Sequence, residues 1–236
     1  RTDLNFLKRV YRRAEAAGAK RVTVADTVGT IHPVEMGSLV KNVKKDIGIP
    51  IAVHCHNDFG LAVANSLSAI ENGAEAVSCT VNGIGERAGN APLEEMVMAL
   101  KYLYGVDLGF KTEVLRELSE MVSRYSGIPV PGNKPVVGDN IFTHESGLHV
   151  SAVLRNPLTY EPFPPEEVGQ RRRISFGKHS GLEAVKYKLR EIGVRFSEGD
   201  ARRVLEMIKR RREGGEEITE EILQGIVREV LHGSGR

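Results

Sequence analysis

Residues 52–60 read AVHCHNDFG. In an extended chain successive side chains point to opposite faces, so His54 and His56 share one face and Cys55 takes the other. Two neutral imidazoles projecting from one rigid strand can hold a divalent metal. They could also be rim histidines satisfied by hydrogen bonds, with Asn57, Asp58 and Gly60 forming a turn. Two further polar clusters accompany the pair. ADTVGT carries Asp26, Thr27 and Gly29, and VNGIGERAGN carries Asn82, Glu86, Arg87 and Asn90. Each follows an apolar, β-like run. Helix capping and turn formation could explain any one cluster. Three in succession, with the histidine pair in the middle one, favour a metal site over a set of caps.

The elements that must position these residues follow from periodicity. KRVTVAD, PIAVHCH and EAVSCTV read as strands. HPVEMGSLVKNVKKDIG, GLAVANSLSAIENGA and APLEEMVMALKYLYG read as the helices after them. Pro33 lies in the first turn of the first helix, and Gly73 ends the second. Strand centres near Val24, Val53 and Val77 recur at the interval of a βα unit, which predicts parallel strands with right-handed crossovers. In such folds functional groups gather at the carboxyl ends of the strands. All three clusters are therefore expected on one rim. Periodicity alone leaves open a doubly wound sheet or part of a (β/α)8 barrel.

Before the first strand, RTDLNFLKRVYRRAEAAGA reads as a helix with Leu4, Leu7, Val10, Tyr11 and Ala14 on its apolar face. Its abrupt start at Arg1 suggests a fragment of something longer. After about residue 110 the pattern changes. The helix TEVLRELSEMVSRYSG leads into the connector IPVPGNKPVVGDN, a domain boundary. We expect a barrel segment over 1–126 and a mainly helical subdomain with its linker over 127–236. Within the latter, IFTHESGLHVSAVLRN is expected to be helical from about Thr143, and helices are expected near 180–192, 197–212 and 217–231.

The 236 residues suffice for a substantial core. A net charge of +2 gives no electrostatic case for nucleic acid or a membrane surface as partner. KRRREGGEE at 209–217 reads as a solvated helix end and turn. Two cysteines, Cys55 and Cys79, make neither a disulfide framework nor a thiolate zinc site and suit a reducing cytoplasm. No apolar run approaches about 18 residues, and no signal peptide opens the chain.

HCHNDFGLAVANSL and NGIGERAGNAPLEE, with DTVG upstream and FTHESGLHV and GKHSG downstream, resemble the 2-isopropylmalate, homocitrate and citramalate synthase family. The resemblance covers nearly the whole chain. It implies an α/β fold: the last three strands of a (β/α)8 TIM barrel, then a small helical subdomain. It also implies a metal-dependent enzyme that condenses acetyl-CoA with a 2-oxo acid in branched-chain amino-acid or lysine biosynthesis. His54, His56 and Asn90 would be metal ligands, for zinc or for manganese or magnesium. Thr27 would hold the substrate carboxylate. His149 and Tyr160 would lie beside the thioester, reaching the barrel of a neighbouring subunit in a homodimer. Glu86 is a weaker catalytic candidate, because Glu86 and Arg87 could form a rim ion pair. Lys178 and the helix start at Ser180 could meet CoA phosphates, or Ser180 could be an ordinary N-cap. The family's remaining ligand, the Asp of an R-D-G-x-Q motif on the first strand, is not among these residues. Neither is the Glu of a middle strand, so the segment alone is expected to be inactive.

GERAGNAPLEE looks closer to isopropylmalate and citramalate synthases than to homocitrate synthases, but the 2-oxo acid stays undecided. A lyase of the same barrel superfamily is one alternative. Another is a non-catalytic fragment that pairs with a separate N-terminal half. A half-barrel leaves the flank of its first strand open, so another element or another copy is expected over residues 21–25.

Overall fold

The computed structural model describes residues 2–177 and 179–232. It divides into two units, residues 1–130 with 135–137, and residues 131–134 with 138–236.

In the first unit, β1 (Val22–Asp26), β2 (Ile51–Cys55) and β3 (Ala76–Ser78) form a parallel sheet in the order β1-β2-β3. The helices α1 (Leu4–Ala16), α2 (Pro33–Lys44), α3 (Ala62–Glu71) and α4 (Leu93–Leu103) alternate with them. Register pairs Val24 with Val53 and Asp26 with Cys55. Val22, Val24, Ile51, Val53 and Cys55 therefore point to the same side. There they share one core with Met36, Val40 and Val43 of α2, Ala62 and Ala69 of α3, and Met96 of α4. Leu7, Tyr11 and Ala14 of α1 pack on that same core. The opposite face carries Thr23, Ala25, Ala52, His54 and Ser78. Helices on one face only, with small and polar residues on the other, are the cross-section of a barrel wall rather than a doubly wound sheet.

Val22 donates its N–H to the Pro50 carbonyl, so alternation turns the Thr23 backbone toward the open edge of β1. Tyr11 of α1 covers part of that edge, its hydroxyl donating to the Thr23 carbonyl at 2.8 Å. EAVSCTV supplies a shorter strand than its pattern predicts: β3 ends at Ser78, and Thr80 makes an isolated bridge to Pro92. The helix α5 (Leu115–Ser126) closes on Gly127, whose φ of 72° is the left-handed C-cap that glycine adopts without penalty.

The second unit contains α6 (Gly147–Arg155), α7 (Leu182–Glu191), α8 (Glu198–Glu213) and α9 (Glu220–His232). Its core gathers Val150, Val185, Leu189, Val204, Ile208 and Ile226. The expected helix start at Thr143 is wrong. Thr143–His144 is a short strand, β4, paired in parallel with β5 (Arg173–Ile174), and α6 begins only at Gly147. Two-residue strands are too short to show a period. Among the described residues, no helix is long and apolar enough to cross a membrane.

The SG pairs of ESG and HSG have a packing reason. A Cβ on Gly147 would lie 2.8 Å from the Gly181 Cα, so the starts of α6 and α7 touch backbone to backbone. Gly147→Ala is expected to destabilise this unit by about 1–3 kcal/mol, since neither backbone can yield cheaply. Gly225 lies inside α9 with open space around it. Gly225→Ala is expected to stabilise by about 0.5–1 kcal/mol. Urea denaturation of the two variants should give shifts of opposite sign.

Candidate metal centre

His54 lies near the carboxyl end of β2, and His56 follows in an isolated bridge to Asn90. Their rings stand edge to face with centroids 4.8 Å apart. Each is anchored through Nδ1. In His56, Nδ1 meets the Asp26 carbonyl at 3.0 Å. A carbonyl only accepts, so the neutral ring carries its proton on Nδ1 and keeps the Nε2 lone pair free. In His54, Nδ1 meets Ser78 Oγ at 3.1 Å. Burial, and then the neighbouring His56, hold the His54 pKa below its ordinary value, which favours the unprotonated ring a metal needs. Cys55, on the helix-facing side, is wholly buried, and burial pushes its thiol up to about 11. It is a core residue.

Asn90 reaches this place through backbone pairing. Asn57 donates to the Gly89 carbonyl at 2.9 Å, and Ala91 donates to the Cys55 carbonyl at 3.3 Å. The strip 89–91 is thereby laid against the end of β2. The Asn90 amide nitrogen donates to the Ile84 carbonyl at 3.3 Å, while Oδ1 is buried without a protein partner. An unsatisfied buried acceptor costs about 1–3 kcal/mol. A cation bound beside the imidazoles would remove that cost. Gly85 is required here, because a Cβ on it would come within 2.2 Å of the Asn90 amide nitrogen. Gly89, with φ of 85°, is required too, since its Cβ would fall 1.9 Å from the Gly83 carbonyl oxygen.

The loop is fastened at its other end by Asn82, a non-glycine residue at φ 60°. Its N–H donates to Glu94 at 3.1 Å, and its amide donates to the Ser119 carbonyl at 2.9 Å. The Ser119 hydroxyl in turn donates to Asn82 Oδ1 at 2.5 Å. Glu94 and Ser119 are both buried, on α4 and α5. Sequence patterning treats both as ordinary helix residues and misses this support.

The other rim residues divide. Thr27 is exposed in the turn just after β1. Asp26 turns to the helix side with Cys55 and takes the Thr30 N–H at 3.1 Å, so it serves its own loop rather than the histidine face. The suggested Glu86–Arg87 ion pair is replaced by another. Arg87 grips Asp58 through Nε and Nη2 at 2.8 and 3.0 Å and also donates to the Thr27 carbonyl at 2.8 Å. Glu86 is exposed on the same loop.

In the second unit His149 and Tyr160 are exposed, with ring centroids 4.2 Å apart. Ser180 is not the cap of α7: its hydroxyl accepts the Gly177 N–H at 2.9 Å, and Gly181 is the N-cap. Lys178 lies outside the described residues.

Among the described residues, no three His, Cys, Asp or Glu side chains converge on a point. What the strand end does offer is two imidazoles on one face, each held through Nδ1, and, on the residue bridged to His56, a buried carboxamide oxygen without a partner. That mixed set suits zinc and also accepts harder divalent ions.

The HMGL-like family matches residues 1–122, and the homocitrate synthase post-HMGL domain-like family matches residues 136–216. The "Homocitrate synthase AksA" of Methanopyrus kandleri is 57% identical over 100% of this chain and 59% of that protein. The "(R)-citramalate synthase CimA" of Methanocaldococcus jannaschii is 50% identical over 98% of the chain and 47% of its own length. The "2-isopropylmalate synthase" of the same organism is 48% identical over 98% and 45%. The chain thus spans about half the length of these relatives. Among solved structures, an HMG-CoA lyase from Bacillus subtilis superposes with a TM-score of 0.52 at 22% identity, covering 56% of this chain and 46% of that one. That likeness speaks for the fold alone.

Proposed function

The chain belongs to the HMGL-like family, and from that premise we propose that it is the carboxyl-terminal part of an acyl-CoA:2-oxo-acid synthase. Such an enzyme joins acetyl-CoA to a 2-oxo acid and releases free CoA. The observation that carries this reading is the orphaned Asn90 Oδ1 beside two imidazoles whose Nδ1 atoms are already engaged. The relatives named above, all condensing synthases by name, supply the reaction class.

In this reading His54, His56 and Asn90 hold a divalent ion, zinc or else manganese or magnesium. The ion supplies Lewis-acid polarisation of the substrate's carbonyl. Thr27, at the end of β1, receives the substrate carboxylate. Asn90 and the glycine-rich loop present a fixed, pre-shaped wall, so little reorganisation accompanies reaction. The thioester methyl loses a proton, its carbon adds to the ketone, and hydrolysis of the thioester liberates the CoA thiol. His149 and Tyr160, whose rings lie 4.2 Å apart at a tilt of 33°, would serve beside the thioester of a neighbouring subunit in a homodimer. Glu86, exposed on its loop, is the weaker candidate for acid–base work. Two unpaired cysteines suit a cytoplasmic enzyme of amino-acid biosynthesis, in the leucine or lysine direction.

Identity is higher to the homocitrate synthase named above than to the 2-isopropylmalate or citramalate synthase. The acid to assay first is therefore 2-oxoglutarate, followed by 2-oxoisovalerate and pyruvate. The full-length protein with acetyl-CoA is expected to release thiol with at least one of the three, in a metal-dependent manner. Silence with all three, with metal supplied, would overturn the reading. Cleavage of a 3-hydroxyacyl thioester instead would move the protein to the lyases.

A further inference from the structure

Arg87 does three things at once. It adopts a left-handed φ of 54°, unusual for a long side chain and carrying a steric cost. Its guanidinium takes both carboxylate oxygens of Asp58, at 2.8 and 3.0 Å. The same Nη2 donates to the Thr27 carbonyl at 2.8 Å. Asp58 in turn seats on bare backbone, since a Cβ on Gly29 would come within 2.4 Å of its Oδ2. One guanidinium thus ties together the loops that follow β1, β2 and β3. These loops carry Thr27, the continuation of the histidine strand and Asn90.

Stability does not explain the arrangement. The Arg87 and Asp58 side chains are 44% and 22% exposed, and ion pairs so open to water contribute little to folding. Position explains it better. Clamping the Thr27 carbonyl fixes the backbone from which the Thr27 hydroxyl hangs. The two-pronged grip on Asp58 with a third bond to a carbonyl needs a planar fork, which lysine lacks.

We propose that Arg87 is a positioning residue for the 2-oxo acid, acting through Asp58 and the Thr27 carbonyl to hold the rim of three loops in register. This rests on the condensing function proposed above. The candidate metal ligands share these loops but have further anchors of their own, at Ser78, the Asp26 carbonyl and the Gly83 carbonyl, which the clamp does not touch. Loss of the clamp should therefore be felt by the acid more than by the ion.

The test compares Arg87→Ala, Arg87→Lys and Gly29→Ala in the full-length protein. Zinc content, thermal midpoint and the KM values for both substrates are measured, using whichever acid supports thiol release. Arg87→Ala is expected to raise the KM for the 2-oxo acid about tenfold or more, as small misplacements near a reacting centre do. Zinc content and the KM for acetyl-CoA should stay within about twofold of wild type. Arg87→Lys should recover only part of the loss. Gly29→Ala keeps both charges but displaces Asp58 and should reproduce the KM effect, with some loss of thermal stability of its own because Gly29 has a φ of 62°. Wild type active with an unchanged acid KM in Arg87→Ala overturns the inference alone. Parallel losses of zinc and thermal stability in both Arg87 variants also overturn it, because that pattern is structural. A wild type that releases no thiol sinks the proposed function, and the inference with it.

Discussion

In the full-length protein, on the function proposed above, replacing His56 with alanine is expected to abolish stoichiometric divalent-metal binding and to lower kcat/KM for condensation by about 10³. Carbonyl polarisation by a metal contributes several kcal/mol to transition-state stabilisation, and each 1.36 kcal/mol is tenfold in rate. His56 Nδ1 is committed to the Asp26 carbonyl, so the ring's only remaining function is at Nε2. His56 is half-buried at the end of the sheet rather than in the core, so the metal-free variant should unfold close to the metal-free wild type. Asn90→Ala should behave similarly toward the metal. It also removes a buried orphan acceptor, so the metal-free form should be no less stable on that account. Ser78→Ala acts one step further out, through the anchor of His54, and should weaken metal affinity about 10–100-fold. Cys55→Ala, facing the helices, should leave metal content intact and cost packing and the contact with Ser66. Metal analysis after dialysis against a mild chelator, with chemical denaturation of the apo forms, separates these outcomes. His56→Ala retaining one divalent ion per chain would remove these imidazoles from the site.

The histidine pair was legible because strand alternation has a period of two, which two nearby residues suffice to display. The βα rhythm was legible for the same reason: long helices and apolar strands repeat their signals many times. Contacts between distant segments carry no such period. Asn90 lies beside His56 because residues 89–91 pair with the end of β2, and only resemblance to a known family pointed there. Asp26 does end β1 on the rim, but the register with Cys55 sends its side chain to the helices, which spacing in the sequence does not reveal. Arg87 has Glu86 for a sequence neighbour, yet its left-handed backbone turns the guanidinium to Asp58. The strands β4 and β5 hold two residues each, too few for any pattern. The glycines of the 83–89 loop read as turn punctuation, whereas two of them are empty space reserved for the Asn90 amide and the Gly83 carbonyl.

Those short strands are held by a buried charge cluster, and its removal is the second large expected effect. Glu161 is 3% exposed. Arg172 donates to both its oxygens at 2.6 Å, and His144 Nε2 lies 3.1 Å from Oε1. A carboxylate only accepts, so His144 presents an N–H there. His144 lies in β4, and Arg172 immediately precedes β5, so one carboxylate staples both strands to the loop after Tyr160. Burial alone would raise the Glu161 pKa. The hydrogen bonds from Arg172 and His144 outweigh it and leave the carboxyl below its ordinary 4.5. A group whose folded pKa is lowered contributes stability that is complete above the unfolded value and is lost as the pH falls through the folded value. Protection of the β4–β5 amides, read by hydrogen exchange at Arg173 and Ser175, should therefore decline on acidification below about pH 4.5. Glu161→Ala strands the Arg172 charge and should cost about 3–5 kcal/mol at neutral pH. Glu161→Gln keeps the volume, should cost less, and should flatten the acid decline, because no carboxyl remains to titrate. Pairing Glu161→Gln with Arg172→Met removes the stranded cation and should recover part of the loss. A Glu161→Gln protein with wild-type protection and an undiminished acid decline would show that some other group fastens these strands.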